Sequence, residues 1–185
     1  MLTKKLASLF FVSLCLSSLT AQAKLLHNLP ETLSIGEKVL KLNGAGVRKK
    51  IIFSVYVGGL YLATPSKDAA HVIEVDEAKA VSMHFLRDVN KKQLVESMSE
   101  GFEKNVNDKG AAQKANIDKL FNLLVDIKEN EVLTFSYVPA VGVTVIKSGT
   151  SLGVINDKEF AKALFSIWFG SNPPSEDLKK GMLGM

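Results

Sequence analysis

Two neighbouring stretches, "KVLKLNGAG" and "IIFSVYVGGLYL", are rich in β-branched and aromatic residues and predict a pair of strands. Lys49-Lys50 is expected as the tight turn between them. After a short helical or irregular passage around "SKDAAHVIEV", a third strand reads from "AVSMHFLRDV". The period then changes: Leu94, Met98, Phe102 and Val106 recur at helical spacing in "NKKQLVESMSEGFEKNV", giving a helix with one apolar face. "AAQKANIDKLFNLLVDIKE" repeats the pattern with Ile117, Leu120, Phe121, Leu124 and Ile127, so the two helices are expected to pair or to cover a common surface. "EVLTFSYVP", "GVTVIKSG" and "SLGVI" return to strand character. A last amphipathic helix, "NDKEFAKALFSIWFG", carries Phe160, Leu164 and Ile167 as a stripe thickened by Phe165, Trp168 and Phe169, and Gly170 stops it. A short closing helix follows in "NPPSEDLKKGM", with Ser175 as N-cap and acidic residues in its first turn.

Strands grouped around a helical middle, without regular alternation, imply an antiparallel sheet with helices packed on one face, an α+β fold. A ligand cavity in such a layout lies most easily between the two layers. No low-complexity segment, repeat or proline-rich linker interrupts residues 24 to 185, so a single domain is expected there.

The first 23 residues read differently. Lys4 and Lys5 precede an apolar run that ends in Ala21-Gln22-Ala23, the small-x-small pattern of a cleavage site, so residues 1–23 are expected to be an export signal removed after Ala23. The apolar run is shorter than the ~20 residues of a bilayer span, and Leu14 before Cys15 disfavours a lipid anchor. The mature chain is thus expected to be exported, in the periplasm, with no stable membrane anchor. Cys15 is the sole cysteine and leaves with the signal, which excludes a disulfide, a thiolate metal site and a cysteine nucleophile. Two of the 23 basic residues leave with it and none of the 19 acidic ones, so the mature charge is only +2 and gives little support for nucleic-acid binding.

"NGAGVR", the later "GGLYL", the helix after "NKKQL" and the closing "INDKEFAKALFSIWFG" followed by a helix together resemble the chalcone isomerase superfamily. The resemblance spans nearly all of residues 24–185 and is nearest to the exported bacterial chalcone isomerase-like proteins. It implies an open-faced β-sandwich, a large antiparallel sheet with helices layered on one face, and a ligand cleft between them. The superfamily holds flavonoid-pathway isomerases and non-catalytic members that bind fatty acids. By resemblance, the catalytic guanidinium of the enzymes falls on Arg48, a permanently charged group that can hold a phenolate or a carboxylate through two hydrogen bonds.

Other positions separate the two activities. Where the enzymes carry a threonine, this chain has Tyr56, as the fatty-acid-binding members do. The tyrosine and asparagine that the enzymes place on the helix after the third strand correspond to Leu94 and Gly101, and a further hydroxyl position falls near Ile167, beside Ser166. Arg48 and Tyr56 together suit a small amphipathic carboxylate or phenolate such as a fatty acid. The alternatives are an isomerase or lyase that uses Arg48 to stabilise an oxyanion on an enone or phenol, and an interaction module whose cleft its own side chains fill. The plain reading of "RKK" is a solvated basic turn, and of Tyr56 a core tyrosine. Eight residues along one straight strand span ~27 Å, so Arg48 and Tyr56 converge only if the chain turns between them.

Gly44, Gly46, Gly58 and Gly59 serve either bulges and tight twists in the sheet or space for a ligand beside the backbone, and the first reading is favoured for most of them. No cofactor is expected: "GAG" is not followed by a phosphate-loop pattern, and His27, His71 and His84 are too scattered for a metal site. His84 is expected to be a strand residue with its hydrogen bonds satisfied, and no nucleophile elbow points to hydrolysis. Phe160, Phe165, Trp168 and Phe169 are expected to be mostly core, with a minority facing any ligand. Protein recovered from an exporting host should begin at Lys24; an intact mass that still includes residues 1–23 would refute the cleavage site.

Overall fold

Apolar residues point both ways along the central strands, because this sheet carries a core cluster on each face. In the computed structural model, which describes residues 29–106 and 109–185, seven antiparallel strands lie in sequence order. They are β1 (Thr32–Ile35), β2 (Lys38–Lys50), β3 (Phe53–Leu62), β4 (Lys79–Phe85), β5 (Val132–Val138), β6 (Gly142–Lys147) and β7 (Thr150–Ile155). The helices are α1 (Ala69–Glu74), α2 (Lys91–Asn105), α3 (Lys109–Leu123), α4 (Lys158–Phe169) and α5 (Glu176–Met182). The expected α+β fold, a curled antiparallel sheet with helices layered against it, is the fold observed. Residues 1–23, with Cys15, and His27 lie outside the described residues. The sheet, the helices and their apolar clusters are assembled from residues 29–185.

The helix-bearing face carries Tyr56, Leu60, Val81, Met83, Phe85, Leu133 and Phe135 in one large core with α2 to α5. On the opposite face Leu40, Tyr61, Ala78 and Ala80 form one smaller cluster, and Leu29, Val47 and Val57 another. Helix starts follow the capping chemistry of the sequence. Asn90 and Gln93 form a reciprocal capping box on α2, Asp157 accepts from the Phe160 N–H at 2.8 Å, and Ser175 accepts from the Leu178 N–H at 3.3 Å.

"NGAG" is explained by the closing helix. Asn43 sits at a register shift in β2, and its amide bridges two segments: Nδ2 donates to Ser66 O and Met182 O, and Oδ1 accepts from Ser66 N. A Cβ at Gly44 would lie 2.3 Å from Gly181 O, and one at Gly46 would lie 2.9 Å from Leu178 O. These two glycines therefore serve backbone-to-backbone contact with α5 rather than twist.

Three expectations need correction, and one strand is added to them. The hairpin turns at Ile51-Ile52, not at Lys49-Lys50, because pairing continues through Lys49↔Ser54 and Lys50↔Phe53, with Val55 left over as a bulge. β1 was not anticipated; it is a four-residue strand whose turn into β2 rests on Gly36 at φ 57°. Ile127 is not on the helix that carries Leu120: α3 ends at Leu123, and Ile127 exchanges two 2.9 Å backbone hydrogen bonds with Val89. His84 is not fully satisfied. Its Nε2 is buried without a partner among the described residues, since its ladder neighbours Val57 and Val132 offer no polar side chain.

Lys79 is 1% exposed and lies on the helix-bearing side of β4. Its ammonium donates to the carbonyls of Val72, Ile73 and Val75 at 2.6, 3.0 and 2.9 Å and so caps the C-terminal end of α1. Burial, the largest influence, lowers its pKa from 10.5 to about 8. Between those values the unfolded chain binds the extra proton, so the buried charge costs stability below about pH 8 and the cost is relieved as pH rises toward 10.5. The stability of the parent relative to Lys79→Met should therefore rise across that window by up to about 3 kcal/mol. Denaturant titrations of both proteins at several pH values would test this, and a pH-independent difference would refute it.

Candidate functional site

The helix layer does not cover the sheet completely. A cavity of about 710 Å³ remains between β3–β5 and the helices α2 and α4, within the ~300–1,000 Å³ of small-molecule sites. Met83, Phe85, Leu133 and Phe135 line its sheet side, and Leu94, Met98 and Ile167 its helix side. Arg48, Lys50 and Arg87 add positive charge to the lining, alongside Asp88, Glu96 and Glu100. This interior is not filled by its own side chains, contrary to what the interaction-module alternative requires.

Arg48 and Tyr56 are brought together. They are directly paired across the β2–β3 ladder and therefore share a sheet face, with Cα atoms of such partners ~4.5–5.5 Å apart. The geometric difficulty of a ~27 Å separation is removed because the turn lies between them. Both line the cavity. Arg48 is half-buried, and its Nη1 donates to the Lys49 carbonyl.

Tyr56 is buried, and its hydroxyl accepts a 3.2 Å hydrogen bond from Trp168 Nε1. That bond occupies the oxygen and leaves the phenolic proton free; among the described residues it has no acceptor. Burial raises the Tyr56 pKa, with the Trp168 hydrogen bond and the Arg48 charge acting weakly in the opposite sense, so the group is a neutral donor at physiological pH. Its ring packs tilted against Phe85, with centroids 5.6 Å apart, and a Cβ on Gly58 would come within 3.2 Å of it. Gly58 thus makes room for the ring along the strand.

The positions that are polar in the isomerases are apolar here, and two of them, Gly101 and Ile167, approach each other closely. Leu94 lines the cavity, and a Cβ added to Gly101 would lie 2.7 Å from Ile167 Cγ2. Ser166 does not line the cavity, and its hydroxyl donates to Ala163 O at 2.6 Å, within its own helix. Of the aromatic stripe, Trp168 reaches the cavity, and Phe160, Phe165 and Phe169 are core. The role of Trp168 was hidden in the sequence because its helical stripe looks the same whether it meets core or cavity. His71 and His84 do not line the cavity, and no described cluster of His, Cys, Asp or Glu could hold a metal ion. No helix among the described residues is long and apolar enough to cross a membrane.

An antiparallel sheet with one helical layer and a cavity between them lined by Arg48 and Arg87 defines an α+β protein with an interlayer pocket. The sequence profile of the chalcone isomerase-like family matches residues 24–184, and the chain belongs to that family. A search of curated proteins finds no match. Among solved structures, the chain is similar to a fatty-acid binding protein of Arabidopsis thaliana, with a TM-score of 0.66 and 17% identity over 84% of this chain and 90% of that one. At that identity the likeness establishes the fold.

The contact between Gly101 and Ile167 yields a reversal of sign. Gly101→Ala adds helix propensity worth ~1 kcal/mol but overpacks a rigid core contact, at a cost of ~1–3 kcal/mol. It should lower the melting temperature of the parent and raise that of Ile167→Ala, where Cγ2 is gone. Thermal unfolding of the four proteins measures this, and equal effects in both backgrounds would rule out the contact as its cause.

Proposed function

We propose that the chain is a non-catalytic binding protein for a small amphipathic anion of the fatty-acid class, exported under the direction of residues 1–23. The observation that carries this reading is Tyr56: its oxygen accepts from Trp168, its proton is unclaimed among the described residues, and it is paired across the ladder with Arg48 in a cavity whose lining is both apolar and charged. A carboxylate supplies the acceptor this arrangement lacks, and Arg48 supplies the countercharge. The apolar lining takes the hydrocarbon, at ~0.8 kcal/mol for each buried CH₂. The similarity to a protein described as fatty-acid binding supports the same class. Against flavonoid chemistry, Leu94 and the Gly101–Ile167 contact leave no polar group where the isomerases have them.

Calorimetric titration with a long-chain fatty acid and its methyl ester separates head from tail. Arg48→Ala and Tyr56→Phe should each weaken the acid by roughly 10- to 100-fold, the range expected for a charge-assisted hydrogen bond, and the ester far less. Native mass spectrometry of parent and Arg48→Ala, purified without added ligand, would identify what is carried. An unchanged acid-to-ester ratio in both variants would refute the clamp. A chalcone consumed faster with the parent than with Arg48→Ala would move the protein to the isomerase class.

A further inference from the structure

The tip of the β2–β3 hairpin breaks two rules that usually choose turn residues. Ile51 stands at φ 58°, a conformation that two-residue hairpins ordinarily assign to glycine or asparagine and that strains a β-branched side chain. Burial does not offset that strain, because Ile51 is 90% exposed, Ile52 81% and Phe53 51%. The other large exposed apolar residues described, such as Val39, Val125 and Val141, stand singly in the chain. Three consecutive ones at a tip form a patch that calls for a partner.

The tip and its flanks are basic, and Glu100 is a carboxylate near enough to feel the charges of Lys50 and Arg48. Lys49 and Lys50 flank it on β2, Arg48 follows, and the Arg87 guanidinium lies 4.6 Å over the Phe53 ring. None of these four cations is in an ion pair with a described carboxylate, whereas the acidic residues of the cavity lining are taken by other lysines: Asp88 by Lys128 at 2.8 Å, Glu96 by Lys92 at 3.9 Å, Glu100 by Lys104 at 2.5 Å. Lys50, Ile51 and Phe53 also line the cavity, so the tip forms part of its rim.

We propose that this tip docks the protein on an anionic lipid bilayer, with Ile51, Ile52 and Phe53 entering the interface and Lys49, Lys50 and Arg87 on the lipid phosphates. Apolar insertion and electrostatic attraction are each weak; together they give reversible attachment. An amphipathic anion then passes between bilayer and cavity without crossing bulk water. This transfer step rests on the proposed function, and the docking does not.

The test uses residues 24–185 and vesicles of phosphatidylcholine, alone or mixed with phosphatidylglycerol. Co-sedimentation is expected with the mixed vesicles, weakening as salt rises, and little with phosphatidylcholine alone. Lys49→Ser with Lys50→Ser should weaken it about 25-fold, at about fivefold per cation. Ile51→Gly with Ile52→Ser should weaken it at least ~10-fold while the melting temperature holds or rises, since glycine relieves the positive φ; the loss is then not unfolding. The single variants Lys49→Ser and Ile52→Ser, neither of which lines the cavity, should take up a fatty acid from cyclodextrin like the parent but more slowly from vesicles. Vesicle binding unchanged in both double variants overturns the proposal. So does a tip-dependent self-association in sedimentation velocity without vesicle binding, which would assign the tip to a second copy. Tip-dependent docking by a parent that takes up no fatty acid from either source upholds the docking and refutes the function proposed above.

Discussion

The register of one hairpin decides everything that follows at the site. Arg48 meets Tyr56 on the helix-bearing face because β2 and β3 pair in one alignment, and a slip of one residue would carry the arginine to the opposite face. Three features hold that alignment. Gly44, Gly46 and Gly58 must face α5, where any side chain would strike helix backbone or Leu178. Val47 and Val57, a directly opposed pair, must face the other way into their own cluster. The bulges at Asn43 and Val55 absorb the mismatch at either end, and the first is pinned by hydrogen bonds to Ser66 and Met182. The site is thus a consequence of strand packing, which sets Arg48 and Tyr56 on one face without a hydrogen bond between them.

That separation shapes the chemistry. Tyr56 and Trp168 form a buried chain of donors that starts on α4 and ends at the cavity, and burial keeps the phenol protonated. In a medium of low dielectric an unclaimed donor is costly, and a bound acceptor recovers that cost. On the facing helices Leu94, Met98 and Ile167 are apolar, Gly101 lets Ile167 approach α2, and α2 adds Gln93, Glu96, Ser97 and Glu100 to the lining. A cavity that combines apolar walls with charged side chains selects by amphipathic character, which is a property of binding more than of proton transfer.

Much of the fold was legible because its elements are strongly periodic. The stripe Leu94, Met98, Phe102 found α2, and the aromatic run found α4, since burial demands that spacing. What failed was local and depended on partners far along the chain. Lys49-Lys50 looked like a turn, yet the ladder to Ser54 and Phe53 extends the strand through it. Ile127 kept the helical period by coincidence and is held instead by Val89, 38 positions earlier. Arg48 and Tyr56 could be named from resemblance, but their pairing required the register, and Trp168 required knowing which side of α4 meets the open part of the sheet. Periodicity reports that a residue is covered; it does not report by what.

Tyr56 marks the line where the helix-bearing face changes from packed to open. On one side of it Gly58, Gly46 and Gly44 remove every side chain, and α5 settles onto bare strand with Leu178 and Met182. On the other, Val55 bulges and the strand runs out to an exposed tip. The Tyr56 ring lies partly over Gly58, so the same glycine that admits the helix also seats the phenol. An added methyl group there would press on Leu178 and on Tyr56 at once, each at 3.2 Å. Closing helix and ligand donor are therefore not independent parts: the small residues that let the fold close at one end of β3 also fix where its cavity begins at the other.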